Sequence, residues 1–168
     1  IKPYIKNDWF SKYNAKKSNF NCNEFLKNFR KKLPKKFFDN RKAGENDNYI
    51  CKIIRNDSLQ EFIENINQNS ISLKQKIEPS FFETHSFLIK KQIDNIDISL
   101  VAYAAFFGAF QIFKYLINNG AKFTSSIWLF AVHGRHTEIF LYLENNRVQS
   151  ELGTFKKCYM ESIKCHHN

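Results

Sequence analysis

Three side chains of kinds that bind metal ions lie close together in one short stretch of the sequence. His133, His136 and Glu138 fall within six residues, and imidazole nitrogens and carboxylate oxygens are common zinc ligands. The same stretch falls where a turn between two helices is predicted. A structural role for these side chains is the simpler interpretation, so no metal site is predicted here.

A second group of metal-ligand types lies at the end of the sequence. Cys158, Cys165, His166 and His167 have the spacing C-x6-C-H-H, which is not the spacing of a zinc finger or a zinc ribbon. The helical pattern places these residues at the end of a helix. We therefore predict neither a bound metal nor any other cofactor.

Sequence patterns that would mark an active site are missing. The chain has no G-x-S-x-G, no phosphate-binding glycine loop, no H-E-x-x-H and no C-x-x-C. Cys51 lies far in sequence from any histidine that an acidic residue could orient. We predict that the chain is not an enzyme.

A dense basic run, KNFRKKLPKK, covers residues 27–36. Its cations could contact nucleic acid or an anionic surface, or act as a nuclear-targeting signal, and nearby phenylalanines could stack on bases. In the other interpretation, apolar residues between the cations pack as a cap on the first repeat, and the cations are the solvated face of that helix. The cations of this basic patch are Lys27, Arg30, Lys31, Lys32, Lys35 and Lys36.

Charge is concentrated in the N-terminal part of the chain. Residues 1–48 carry 13 basic and 5 acidic side chains, whereas residues 49–168 carry 13 and 11. The sequence therefore predicts two parts, a basic and aromatic-rich helical arm at 1–48 and a nearly neutral domain at 49–168. A basic excess bears on partners and solubility, not on fold.

The location of the protein is predicted from its cysteines and its apolar segments. Four cysteines without a dense framework, and no signal-peptide pattern, favour a reducing intracellular compartment. We expect the cytoplasm, with the nucleus as the alternative. The longest uncharged run has 16 residues, at 98–113, and a spanning helix needs about 20, so no membrane span is predicted.

Residues 99–121 are echoed at a fixed distance along the chain. Ala104, Ile112 and Leu116 return 27 positions later as Ala131, Ile139 and Leu143. Such a fixed period is typical of stacked-repeat proteins. Each period is predicted to form two short helices, at 99–119 and 126–144. Residues 49–67 are predicted to form a weaker helix pair, and residues 154–165 the first helix of another unit. We predict serine caps at Ser99 and Ser126 and a left-handed helix end at Gly108.

The repeated stretch resembles the ankyrin repeat, whose motif contains A-A-x-x-G-H-x-E-I-V-x-x-L-L-x-x-G-A. The positions that match it, identically or conservatively, are Ser99, Ala104, Ala105, Gly108, Gln111, Ile112, Phe113, Leu116, Ile117, Gly120 and Ala121. In the next unit the matches are Ser126, Ala131, His136 (one place past the motif's histidine), Glu138, Ile139, Phe140 and Leu143. Segments such as IIRNDS, SFLIKK and QIFKYL also resemble a divergent ankyrin-type domain of unknown function that is expanded in single-celled eukaryotes.

The resemblance implies an all-α, ankyrin-type helix-turn-helix solenoid that binds another protein. The period of 27 residues, against about 33 in ankyrin repeats, predicts short loops and a binding surface on the inner helices. The last predicted helix is left with an unpartnered apolar face, so we expect this chain to be a fragment cut at its C-terminal side.

Five residues fall where ankyrin proteins face a partner. The resemblance assigns partner binding to Phe106, Phe107, His133, Arg55 and Asn56. Exposed adjacent aromatics would be candidate anchors of an interface. The alternative, that one of the two phenylalanines turns into the core, stays open at this point.

Overall fold

The computed structural model describes residues 33–93, 97–150 and 155–165, together with Lys27 and Lys31, and gives the backbone alone for 91–93. The arm helix predicted around Trp9 and Tyr13 lies outside the described residues. Most of the predicted helix that carries Phe25 and Phe29 lies outside them as well.

The described residues form nine α-helices and no β-strand, which confirms the predicted all-α class. A lone antiparallel bridge joins Lys76 and Ser99. In chain order the helices are α1 (Lys35–Ala43), α2 (Tyr49–Arg55), α3 (Leu59–Asn69), α4 (Ser86–Ile93), α5 (Leu100–Phe107), α6 (Phe110–Asn118), α7 (Ile127–Gly134), α8 (Thr137–Asn145) and α9 (Lys156–Lys164).

Contacts within the chain divide it into two compact units, Ile1–Asp39 and Asn40–Asn168. Inside the second unit, the loop before α2 is tied to the segment before α4. Asn46 Nδ2 donates a hydrogen bond to the Glu78 carbonyl at 2.9 Å, and Thr84 Oγ1 donates one to the Gly44 carbonyl at 2.7 Å. The predicted domain boundary after residue 48 stays a prediction.

The helices of the second unit pack as pairs. Helix α2 packs against α3, α5 against α6, and α7 against α8. The first helices of the pairs also contact one another, in the order α2, α5, α7 and α9, and α3 contacts α6. Helix α5 is buried from Leu100 to Phe106 because it has packed neighbours on several sides. Helix α6 buries one stripe, formed by Ile112, Phe113 and Leu116.

The period of 27 residues in the sequence is also present in the backbone. Helices α5 and α7 begin at Leu100 and Ile127, and α6 and α8 begin at Phe110 and Thr137. Ile112 and Ile139 are each the third residue of their helix, and both are fully buried. The two residues that the sequence places in register therefore occupy corresponding positions.

The turns of successive pairs repeat the same backbone conformation. A residue with positive φ follows the first helix of each pair within two positions, namely Asp57 (48°), Gly108 (70°) or Arg135 (57°). After the second helices, Asn119 and Asn146 each donate a side-chain hydrogen bond to the carbonyl four residues earlier, both at 2.8 Å. The predicted left-handed end at Gly108 is confirmed.

The two predicted serine caps have different outcomes. Ser99 Oγ accepts the Ala102 N–H at 3.2 Å, as predicted. The cap at Ser126 was wrong, since its side chain bonds to Thr124 Oγ1 at 2.6 Å and accepts no helix N–H.

Helix α4 lies in a segment whose structure the sequence did not settle. Helix α4 stands between the first two helix pairs in the chain, and it places Phe87 and Leu88 in the core. Phe87 lies against both α5 and α7, with its ring 5.9 Å from that of Phe106 and 5.1 Å from that of Phe130. The connection through α4 therefore covers part of the surface that the inner helices would otherwise offer.

Candidate functional site

Phe106 and Phe107, adjacent at the end of α5, have different surroundings. Phe106 is 8% exposed, and its ring is parallel to that of Phe87, with an interplanar angle of 2°. Phe107 is half-buried. Only the second ring of the pair is therefore open to solvent in part. Whether either residue binds a partner stays a prediction.

Phe107 is held by side chains from three elements. The ring of Tyr103 lies 4.6 Å away and that of His85, from the segment before α4, lies 5.6 Å away. The guanidinium of Arg55 lies 5.8 Å from the ring centroid of Phe107, within the range of a cation–π contact. These contacts fix the orientation of an aromatic side chain that remains accessible.

Arg55 is a structural tie as well as a predicted binding residue. Its Nη1 donates to the Asn46 carbonyl at 3.0 Å and to Tyr103 Oη at 2.8 Å. Its Nε forms an ion pair with Glu45 Oε2 at 2.9 Å. Burial raises the pKa of Tyr103, so this hydroxyl stays protonated and accepts from Arg55. The next residue, Asn56, is exposed.

His133 lies in the last turn of α7, with its ring 6.1 Å from that of Phe106. Its ring is stacked on Phe87 with centroids 3.8 Å apart. His133 Nε2 lies 2.8 Å from Glu161 Oε1 in α9, and Cys165 Sγ lies 3.3 Å from His133 Nδ1. Sequence reasoning missed this cluster because its members are 28 and 32 residues apart. The register of the repeats was the available signal, since it makes α9 the first-helix neighbour of α7.

The histidine of the neighbouring turn has a packing role. His136 precedes α8, and its ring fills the space beside Gly108, where a Cβ would overlap it. Burial lowers the pKa of His136, although a hydrogen bond with the Phe106 backbone and the charge of Glu138 act in the opposite direction. Glu138 is exposed.

The basic patch is described in part. Lys27, Lys31, Lys35 and Lys36 are all exposed, whereas Arg30 and Lys32 lie outside the described residues. Lys35 and Lys36 occupy the first turn of α1, which contains no acidic residue. Cations near a helix N-terminus oppose the helix dipole, so helix stability does not account for their placement.

None of the described helices is long and apolar enough to cross a membrane.

No protein-family model, no curated protein and no solved structure matches this chain. The resemblance to ankyrin repeats thus rests on the chain's own residues.

Proposed function

We propose that this chain is a protein-interaction scaffold made of stacked, divergent ankyrin-type helix pairs, and that it has no catalytic role. The observation that carries the proposal is the repeated geometry of α5–α6 and α7–α8, which includes the burial of Ile112 and Ile139 at corresponding positions. A unit of two short helices cannot bury its apolar faces alone, so stacking supplies the stability and creates one extended surface. Binding is the usual role of such a surface.

The binding surface we propose contains Asn56, Phe107 and His85, with Arg55 behind them. Phe107 is half-buried and its orientation is fixed by Tyr103, His85 and Arg55. A side chain that is already ordered loses little conformational entropy on binding, and aromatic residues are common anchors. The proposed surface is smaller than the one predicted on the inner helices. It leaves out Phe106 and His133, because Phe87 of α4 stacks on both rings.

The chemistry of this surface favours a protein partner that presents an apolar or aromatic side chain to Phe107. The charge of Arg55 is already paired with Glu45, and residues 49–168 carry 13 basic against 11 acidic side chains. Binding through this surface should therefore depend only weakly on salt.

A comparison of variants of the full chain tests the proposal. Asn56→Arg and Phe107→Ala should each reduce capture of a specific protein at least about tenfold, in line with the loss of an anchor residue. Lys122→Ala, at an exposed residue after α6, is the matched control. Circular dichroism should show that each variant is folded. Two results would contradict the proposal. One is that all variants capture the protein equally well, and the other is that the native chain captures no protein above background.

The second candidate function is binding of nucleic acid or another anionic surface through the basic arm at 1–48. It is favoured by the exposed Lys35 and Lys36 in the first turn of α1, where they oppose the helix dipole. Replacing Arg30, Lys31, Lys32, Lys35 and Lys36 by Gln should abolish retention on heparin or DNA. For the native chain, affinity for nucleic acid should fall steeply as the salt concentration rises. Lys and Arg side chains that contact phosphates release the counterions of the nucleic acid. Unchanged retention of the variant would remove this candidate.

We further propose a cytoplasmic location, with the nucleus as the alternative if the basic run is a targeting signal. Four cysteines without a dense framework support a reducing compartment.

A further inference from the structure

Three side chains of different metal-binding types converge where α9 packs on α7. His133 comes from the last turn of α7, Glu161 from α9, and Cys165 from the residue that ends α9. Glu161 and Cys165 are four positions apart, so they lie on the same face of the helix. Within the part of the chain that the structure describes, this is the one group of three such side chains close enough to share an ion.

The three ligand atoms lie close to the spacing that a small tetrahedral ion requires. The ligand atoms of the three residues all lie within 4.8 Å of one another. Bonds of about 2.0–2.3 Å in a tetrahedron separate neighbouring ligand atoms by about 3.3–3.6 Å. Cys165 Sγ and His133 Nε2 are 3.8 Å apart, and His133 Nε2 and Glu161 Oε1 are 2.8 Å apart. Cys165 Sγ lies closer to His133 Nδ1, at 3.3 Å, than to Nε2. An ion bound by one ring nitrogen therefore requires the Cys165 thiol and the Glu161 carboxylate to move toward a common centre.

The surroundings hold the cluster in place and leave it accessible. The side chains of His133 and Glu161 are 14% and 20% exposed. Phe87 stacks on the His133 ring, which fixes the ring orientation that an ion requires. Arg135 Nη2 donates to the Cys165 carbonyl at 3.0 Å and so positions the end of α9. Second-shell contacts of this kind commonly orient metal ligands.

We propose that His133, Glu161 and Cys165 bind one divalent transition-metal ion, with Zn²⁺ as the best fit. One nitrogen, one sulfur and one carboxylate oxygen match zinc, whereas calcium and magnesium prefer oxygen ligands alone. On binding, the Cys165 thiol releases its proton to solvent and the thiolate coordinates the ion. The ion ties α9 to α7, and a fourth coordination position stays open to water. This site departs from the sequence analysis, which predicted no metal.

A nearby cation does not block the site. Lys164 Nζ lies 2.9 Å from Glu161 Oε2, so the other carboxylate oxygen remains directed to His133. The Lys164 side chain is 60% exposed, and it can move into solvent when an ion arrives.

Cobalt titration of the reduced, untagged full chain tests the proposal. Co²⁺ should produce a cobalt–thiolate charge-transfer band and visible bands of four-coordination, saturate at one ion per chain and be displaced by Zn²⁺. Cys165→Ser should remove the charge-transfer band, and His133→Asn and Glu161→Gln should each weaken binding at least about tenfold. Cys158→Ser, on the same helix but outside the cluster, should bind like the native chain.

Three results would overturn the proposal. The native chain could lack the charge-transfer band, or the band could persist in Cys165→Ser. The third result is that His133→Asn binds Co²⁺ as tightly as the native chain. The last result would mean that residues near the end of the chain bind cobalt without α7. Thermal unfolding gives an independent check, because Zn²⁺ should raise the Tm of the native chain but not that of His133→Asn.

Discussion

The carboxylate of Asp57 accepts hydrogen bonds from the backbone N–H groups of Gln111 and Ile112, each at 3.0 Å. Asp57 lies in the turn after α2, whereas these N–H groups belong to the first turn of α6. The N-cap residue of α6 is Ala109, whose side chain cannot cap the helix. The first helix pair therefore caps a helix of the second pair, which joins residues more than 50 positions apart.

Asp57→Ala should lower the free energy of unfolding by about 1–2 kcal/mol, because two helix N–H groups lose their acceptor and the helix N-terminus loses a nearby negative charge. Urea denaturation measures the effect. Asp57→Asn keeps an acceptor oxygen and should lose less. Asn56→Ala, at the exposed neighbouring position, should change little. Equal stability of Asp57→Ala and the native chain would show that the cap contributes nothing.

Gly108→Ala should be more destabilising than Gly120→Ala, although both glycines have positive φ, at 70° and 80°. At Gly120 an added Cβ meets no atom within 4 Å, so only the left-handed backbone is penalised, by about 1–2 kcal/mol. At Gly108 the Cβ also overlaps the His136 ring, and overpacking adds about 1–3 kcal/mol. Thermal or urea unfolding would compare the two variants.

A double-mutant cycle separates the two effects at Gly108. In a His136→Ala background, Gly108→Ala should lose most of its extra cost and approach the cost of Gly120→Ala. Additive effects of Gly108→Ala and His136→Ala would mean that the ring does not fill this space.

Lowering the pH should destabilise the protein through His136. Because burial lowers its folded-state pKa below the usual 6.5, the unfolded chain binds the proton more readily. The free energy that the neutral ring contributes is therefore fully present above about pH 6.5 and falls as the pH decreases toward the folded-state pKa. Urea denaturation across this range measures the slope.

His136→Asn should show a smaller loss of stability on acidification than the native chain. His85→Asn is the control, because His85 is exposed and has no comparable burial. If His136→Asn kept the full native slope, another group would carry the acid sensitivity.

Cys51 should resist alkylation until the protein unfolds. The residue is fully buried, and burial raises the pKa of its thiol to about 12, which the nearby charge of Arg55 only partly opposes. Iodoacetamide needs a thiolate, so the half-buried Cys158 should react faster than Cys51 in the folded chain. Mass spectrometry of timed samples would measure both rates, and in urea the two rates should converge. Fast native labelling of Cys51 would contradict its placement in the core.

The sequence by itself determined the helical class, most helix positions and the period of 27 residues. The apolar stripes predicted helices at 99–119 and 126–144, and the structure has α5–α6 and α7–α8 there. These features are local, because each depends on which residues within about two helical turns face the core. The left-handed end at Gly108 was predictable for the same reason, since glycine adopts positive φ without steric cost.

Only the tertiary structure decided which distant side chains meet. It placed Phe87 of α4 over Phe106, the Asp57 carboxylate at the start of α6, and Cys165 beside His133. Residues 81–92, which include most of α4, show no clear helical period. Spacing along the chain does not report a contact between residues 32 positions apart. Such contacts form only when helices dock. Docking depends on the combined shape of several helices, which the pattern within any one of them does not contain.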